Sequence, residues 1–493
     1  MGRYILAVDQ STQGTKGLLF DESGELTARA DRTHAQIINE KGWVEHDLEE
    51  IFRNTCEVCR DVIAKAGIAP EDIAAFGISN QRETSAAWDK ETGKPVCNAI
   101  VWQCARAEDI CIRHEKNGEA DRIREKTGLP LSPYFPAAKL QWIMENIPEA
   151  GRLAREDRLA VGTIDSWLVY KLTGGESHRT DYSNASRTQL FNLETLSWDE
   201  ELLKIFGIPQ SSLPEVVMSD SVFGMTDLNG ILPKKIPIRG VLGDSHAALF
   251  GQNCREKGGI KATYGTGSSV MMNTGGTRYR STSGLVTSLA WGMHGRVDYV
   301  LEGNLNYTGA SITWLKDQVG MISSASETEE LAVLANPDDR SYFVPAFTGL
   351  GAPYWDPEAT GLLTGITRVT GKKEIVKACV ESIAYQITDL IEIMRKDTGN
   401  PIPDLHVDGG PTENRYLMQF QADIADICVQ IPELQELSGM GAAYAAGIAV
   451  GLYDEETIFG HIRLTDYTCK MEEAERDRKY KGWKAAIRKT LLH

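Results

Sequence analysis

No apolar run of about 18 residues occurs in the 493-residue chain, so no membrane-spanning helix is expected. Positive charge is also short: 52 Lys and Arg stand against 69 Asp and Glu, a formal net charge of −17. Binding nucleic acid without sequence preference needs a basic footprint, so no nucleic-acid partner is expected. Cysteine is scarce, scattered and odd in number, nine in all, which points to a reducing compartment rather than a disulfide framework. The opening residues lack a charged segment followed by an apolar stretch and a cleavage site, and the expected location is the cytoplasm. Three motifs are missing as well: no G-x-x-x-x-G-K-[ST], no G-x-G-x-x-G and no G-x-S-x-G. Their absence disfavours a Walker loop, a dinucleotide fold and a hydrolase elbow.

What is present is ordinary for a soluble globular chain, 42% hydrophobic and 25% charged, and long enough for two or three domains. The single C-x-x-C, Cys56 and Cys59, lies in "EHDLEEIFRNTCEVCRDVIAKAG". There Leu48, Ile51, Phe52, Thr55, Val58, Cys59, Val62 and Ile63 recur at helical spacing. Cys59 therefore reads as a small core residue and Cys56 as lying off the stripe. No second pair completes a zinc site.

The first forty residues predict a strand meander, "YILAVD", "KGLLFD" and "LTARADR", followed by a helix and the strand "AAFGIS". Strands then alternate with helices, which implies an α/β architecture. Near the middle, "IKATYGTGSSVMMNTGG" repeats the plan of the opening "ILAVDQSTQGTKGLLFD": apolar strand, hydroxyl-glycine turn, apolar strand. Two copies of one unusual hairpin suggest two related domains. Farther on come a long helix, "KKEIVKACVESIAYQITDLIEIMRKDT", closed by Gly399, and the strand "DLHVDGG" leading into another helix. "SGMGAAYAAGIAVGLY" reads as a helix of small residues able to pack very close to a neighbour. The stretch from Lys470 to Lys489 is highly charged and reads as a solvated helix.

The opening turn, Asp9 to Lys16, is rich in groups that satisfy phosphate oxygens: backbone N–H, the hydroxyls of Ser11, Thr12 and Thr15, and Lys16. Asp9 would be misplaced among phosphates unless a cation lay between, and Mg²⁺ binds through one or two carboxylates while keeping several waters. An elaborate hairpin with a surface acid is the plain alternative. Gly265–Gly267 form a second such turn, and Gly409–Gly410 sit where a strand meets a helix, the place where α/β sheets bind ligands. In "GDSHAALFGQ", Asp244, Ser245 and His246 are consecutive, so they point different ways and cannot form one relay. Asp244 alone could accept a proton from an attacking hydroxyl, or could cap a helix. Arg82 and Glu83 could serve the hydroxyls of a polyol, or form a surface ion pair. Trp102 could be a flat wall for a carbon chain, or a core residue.

Together these stretches resemble the FGGY carbohydrate kinases, and within them the glycerol kinase branch. "DQSTQGTK", "NQRET", "AIVWQC", "GTIDSWLVYKLTGG", "DYSNASRT", "GDSHAALFGQ", "YGTGSSVMMNTG", "GASITWL", "VDGGPTEN" and "GAAYAAGIAVG" match that family in order over nearly the whole chain. "YFPAAKLQWIMEN" is similar to its first signature. "GLLTGITRVTGKKEIVKACVES" is close to its second, with Cys379 in place of a small or aliphatic residue. The resemblance implies an α/β fold of two actin-like (ribonuclease H-like) domains, residues 1–248 and 249–493, with a nucleotide cleft between them. It implies ATP and Mg²⁺ as cofactors, a small polyol or sugar as substrate, and a homodimer or homotetramer. Carried over by motif, Asp9 is the metal carboxylate, and Thr12, Gln13, Gly14 and Lys16 belong to the first phosphate loop. Thr266, Gly309, Thr313, Gly410 and Asn414 fall at nucleotide positions. Arg82, Glu83, Trp102, Tyr134, Asp244 and Ser245 fall at the substrate site, with Asp244 as catalytic base.

The departures concern specificity. Ser245 stands where glycerol kinases usually have Gln, and Ser269 where they have Phe. Both changes imply a roomier, wetter pocket, compatible with a larger polyol or a ketose. Lys16 replaces Arg and loses the bidentate fork, and Thr313 replaces a Gln. The region "LNGILPKKIPI" lacks the glycine-rich, Arg-containing loop for a sugar-bisphosphate inhibitor, so that regulation is not expected. The expected activity is an ATP-dependent kinase acting on a primary hydroxyl of a small polyol, glycerol first. Its rivals are a kinase for a tetritol, pentitol, xylulose or ribulose, and a non-catalytic actin-fold ATP switch.

Overall fold

The computed structural model describes residues 3–491. The chain divides into two compact units, and not by a single cut. The first takes residues 3–253 together with Thr287–Tyr299 and Glu436–His461; the second takes Cys254–Val286, Val300–Gln435 and residues 462–491. Among the described residues no helix is long and apolar enough to cross a membrane.

The first unit is built on a six-stranded sheet in which the opening strand, Tyr4–Gln10, is central. It pairs antiparallel with Gly14–Phe20, setting Asp9 opposite Lys16, and parallel with Ile73–Asn80, setting Asp9 opposite Ser79. Ile73–Asn80 is in turn parallel to Ile236–Gly243, which pairs antiparallel with the edge strand Gly224–Thr226. The second unit repeats this plan. Ile260–Tyr264 pairs antiparallel with Ser268–Gly275 and parallel with Asp404–Asp408; then follow the parallel strand Cys428–Pro432 and the antiparallel edge Leu464–Tyr467. The likeness of the two hairpins thus extends to the strands around them. In the first unit the leading strand carries a continuous run of buried apolar residues, Ile5 to Val8, as a parallel strand covered on both faces must; in the second, buried Ile260, Ala262 and Tyr264 alternate with Lys261 and Thr263.

Helix Leu48–Ala66 begins on Asp47, whose carboxylate accepts from the backbone N–H of Glu49 and Glu50, and ends on Gly67 in the left-handed region. Cys59 is fully buried, as its place in the stripe predicts. Cys56 is buried too, against expectation. The helix also packs against the helix Ile164–Leu172, and Lys171 lies close to the Cys56 sulfur, so the flank off the stripe is covered. Burial pushes the Cys56 thiol up to about 11, which keeps it unreactive.

The long helix Lys372–Thr398 is closed by Gly399 in the left-handed conformation. The charged C-terminal stretch is a helix, Glu473–Thr490, but not a solvated one. Lys479, Trp483, Ala486, Ile487 and Thr490 are buried along one side, a helical spacing that its many charges obscure. Trp483 stacks on Tyr385 at 5.2 Å and donates its indole N–H to Asp389 at 2.8 Å.

The small-residue helix, Leu437–Ala449, lies in the first unit and approaches its neighbours as closely as expected. A Cβ built on Gly441 would stand 1.8 Å from the carbonyl oxygen of Ala247. Backbone cannot step aside as a side chain can. Gly441→Val is therefore expected to cost about 3 kcal/mol or more, read as a lowered unfolding midpoint by calorimetry. Gly460→Ala, which meets nothing within 4 Å, is expected to leave that midpoint unchanged.

Candidate active site

Three parallel strands of the first unit end at the same edge of their sheet, and their last residues and following loops converge there. Asp9 is next to last in the first, "QRET" follows Asn80 at the end of the second, and Asp244 follows Gly243 at the end of the third. Asp9 is buried, and its Oδ1 accepts from the Ser79 hydroxyl at 2.9 Å. Burial pushes its carboxyl up to about 6; Lys16 opposes this, whereas the charges of Asp244 and Glu436 add to it. A dry carboxylate with anionic neighbours is a setting that a hard cation would relieve. Among the described residues no group of three or more His, Cys, Asp or Glu side chains is placed to hold a metal ion. One carboxylate plus water suits Mg²⁺, which seldom takes an all-protein cage.

Lys16 Nζ is 3.9 Å from Asp9 and donates to Glu436 Oε2 at 2.7 Å. Glu436 also binds Arg29. It lies more than 400 residues from both in sequence, and no local pattern announces it. In the hairpin turn the Ser11 N–H donates to the Gly14 carbonyl at 2.8 Å, and Gln13 is exposed. Thr12 is half-buried, and its carbonyl accepts from Gln36 Nε2 at 2.5 Å.

Arg82 and Glu83 are buried, so the surface-ion-pair reading does not hold. Arg82 Nε lies 3.9 Å from Glu83 and 3.4 Å from Asp244. Glu83 accepts from Arg187 Nε at 2.5 Å, and both are nearly inaccessible to solvent. Glu83 also has φ of 58°, a left-handed conformation costly for a non-glycine residue and held here by its surroundings. The helix that follows the third strand starts at Asp244, with Gly243 in the cap position. Asp244 is therefore not the cap. Its side chain is 34% exposed and accepts from the N–H of Ser245 at 2.6 Å. Trp102 is half-buried rather than core; its ring meets Tyr134 edge-on at 5.5 Å. Lys139 is fully buried, donates to the Tyr134 carbonyl and is pushed down to about 7 by burial.

In the second unit Gly309, Thr313, Gly410 and Asn414, spread over about a hundred residues, line one cavity of about 630 Å³. Its other walls include apolar Ile312, Val380, Ile383 and Leu417, the serines Ser324 and Ser326, and the charged side chains Lys316, Glu329 and Glu413. The size and mixed lining suit a nucleoside. Asn414 caps the helix Arg415–Ala425, accepting from Leu417 N–H at 2.9 Å, and donates to Thr328 at 3.0 Å. Thr266 is exposed at the tip of the second hairpin, outside the cavity lining. The Gly309 N–H donates to the carbonyl of Gly265 at 3.0 Å, and a Cβ there would fall 2.5 Å from that oxygen. Ser269 donates to Glu302 at 3.2 Å.

Residues 4–251 match the N-terminal domain, and residues 260–450 the C-terminal domain, of the FGGY family of carbohydrate kinases. Glycerol kinase 1 of Thermotoga maritima is 49% identical over 490 residues, 99% of each chain. The glycerol kinase of Caldanaerobacter subterraneus is 47% identical over 493 residues, covering 100% of this chain and 99% of its own. Among solved structures, Plasmodium falciparum glycerol kinase with ADP superposes with a TM-score of 0.94 at 34% identity, over 99% of this chain and 98% of that one.

The setting of Asp9 can be checked directly. In metal-free protein its carboxyl ¹³C resonance is expected to titrate near pH 6, with a lower midpoint in Asp244→Asn, where one neighbouring charge is gone. A wild-type midpoint near the ordinary ~3.9 would contradict this setting.

Proposed function

The chain belongs to the FGGY family of carbohydrate kinases, and from that premise we propose that it transfers the γ-phosphoryl group of ATP to a primary hydroxyl of glycerol, giving glycerol 3-phosphate and ADP. The observation that carries this reading is the half-exposed Asp244 carboxylate, 3.4 Å from a buried Arg82 that also faces Glu83. Arg82 donates to substrate hydroxyls and Glu83 accepts from them, while Trp102 and Tyr134 flank the carbon chain. Asp244 takes the proton of the attacking hydroxyl as its oxygen bonds to phosphorus and the bond to the ADP oxygen breaks. Thr12, Gln13, Gly14 and Lys16 are read as phosphate contacts, as are Thr266 and Gly410. Gly309, Thr313 and Asn414 hold the nucleoside. Asp9 holds Mg²⁺, which when bound neutralises charge on the phosphate oxygens. The assembly is read as a cytoplasmic homodimer or homotetramer.

A second reading, a tetritol, pentitol or ketopentose as substrate, is favoured by Ser245 and Ser269 alone. The non-catalytic switch is set aside by membership of a kinase family and by retention of Arg82, Glu83 and Asp244, which a switch does not need.

ADP release from MgATP across glycerol, erythritol, pentitols, xylulose and ribulose separates the readings. Glycerol is expected to give the highest kcat/KM by tenfold or more, and Asp244→Asn to lower kcat by about 10²–10⁴ with nucleotide binding kept. A larger substrate winning would overturn the glycerol assignment, and normal turnover in Asp244→Asn would overturn the base.

A further inference from the structure

Trp102 makes a contact that a mere wall does not need. Its indole N–H donates to the Thr12 hydroxyl oxygen at 2.9 Å, joining a residue of the polyol site to the first phosphate loop. The direction of this bond is fixed by chemistry: indole nitrogen is donor only, whereas a hydroxyl has one proton and two lone pairs. With one lone pair taken by Trp102, the Thr12 proton is left to point elsewhere, toward an acceptor such as a phosphate oxygen.

A second line runs from the same residue. The Trp102 backbone N–H donates to Thr84 Oγ1 at 3.3 Å, and Thr84 donates to Gln81 Oε1 at 2.7 Å. Gln81 Nε2 then donates to Gln10 Oε1 at 3.0 Å and to the Ser11 carbonyl at 3.4 Å. Side chain and main chain of one tryptophan are thus tied to adjacent residues of the loop, through partners that lie wholly in the first unit. The other face of the arrangement is Tyr134, edge-on to the Trp102 ring. Thr84 also directly follows Glu83, whose φ of 58° fixes the path of this segment.

We propose that Trp102 couples the two substrate sites: a polyol seated against its ring holds the indole in the position that orients the Thr12 hydroxyl for phosphate, so each ligand tightens the binding of the other. This rests on the glycerol kinase reading above. Trp102 acts on phosphate only through Thr12, as a positioning residue. The coupling favours phosphate engagement when a polyol is present, and so discriminates against water as acceptor.

The test is a double-mutant cycle on binding, with no turnover. The Kd of glycerol is measured by calorimetry with and without Mg²⁺ and a non-hydrolysable ATP analogue, in wild type, Trp102→Phe, Thr12→Val and the double variant. Phe keeps an aromatic wall and loses the donor; Val keeps the shape of Thr and loses the hydroxyl, both the acceptor for Trp102 and the donor to phosphate. In wild type the analogue is expected to tighten glycerol about fivefold or more, and glycerol to tighten the analogue by the same factor. Each single variant is expected to bring that factor close to one, with no further loss in the double variant. A wild-type factor of one, or a wild-type-like factor in either single variant that binds both ligands, overturns the coupling alone. Should Trp102→Phe fail to fold, Thr12→Val decides on its own. Normal analogue binding by wild type with no glycerol binding overturns the substrate reading, and the coupling with it.

Discussion

The chemistry of the first unit depends on one constraint: three parallel strands, Tyr4–Gln10, Ile73–Asn80 and Ile236–Gly243, end at the same edge of a sheet. Parallel pairing sets the strand ends side by side, so whatever follows each strand meets whatever follows its neighbours. Asp9, the Arg82–Glu83 pair and Asp244 come from points more than 230 residues apart in the sequence, and no local motif could join them. The register does so. The same order of strands in the second unit places the hairpin turn at Gly265–Gly267 and the Gly409–Gly410 junction after neighbouring parallel strands.

That placement has an energetic consequence. Charged groups at the end of a covered sheet lie in poor solvent, and each must be paired or must await a ligand. Glu83 is paired with Arg187, and Asp244 with Arg82. Asp9 has a serine hydroxyl and a lysine 3.9 Å away that is itself shared with Glu436. A carboxyl pushed from its ordinary value to about 6 costs the folded chain on the order of 3 kcal/mol at neutral pH. The sign follows from linkage: the folded protein holds this proton more tightly than the unfolded one, so the contribution favours folding at low pH and is lost as pH rises through about 6. A divalent cation bound there would reverse the balance, because it would stabilise the ionised form. The site is therefore built at the expense of stability, as sites that must meet charge often are.

Much of this was legible in the sequence because it is local. Alternating strands and helices, the long helix closed by Gly399 and the two hydroxyl-glycine hairpins all follow from spacing and turn chemistry. What was not legible was set by distant neighbours. Cys56 is covered by a helix more than a hundred residues on, and Trp483 is drawn into the core by Tyr385 and Asp389. Glu436 and Arg187 complete the charge pairs of the site, yet neither sits in a pattern that marks it as more than a surface charge. The plain alternatives at Arg82, Glu83, Trp102 and Asp244, a surface ion pair, a core residue and a helix cap, were removed by burial and by helix start, properties that arise only when the chain is folded.

The central claim, on the reading proposed above, is that Asp9 is a carboxylate held ready for a ligand at the cost of its own solvation. Its most direct test is the chemical unfolding midpoint of Asp9→Asn beside wild type, at neutral pH, without ligands and then with Mg²⁺ and a non-hydrolysable ATP analogue. The expected result is a ligand-free variant at least as stable as wild type that gains little from the magnesium nucleotide, whereas wild type gains clearly. A variant less stable than wild type that is stabilised by the magnesium nucleotide to the same extent would show Asp9 to be a structural carboxylate, and would contradict the account.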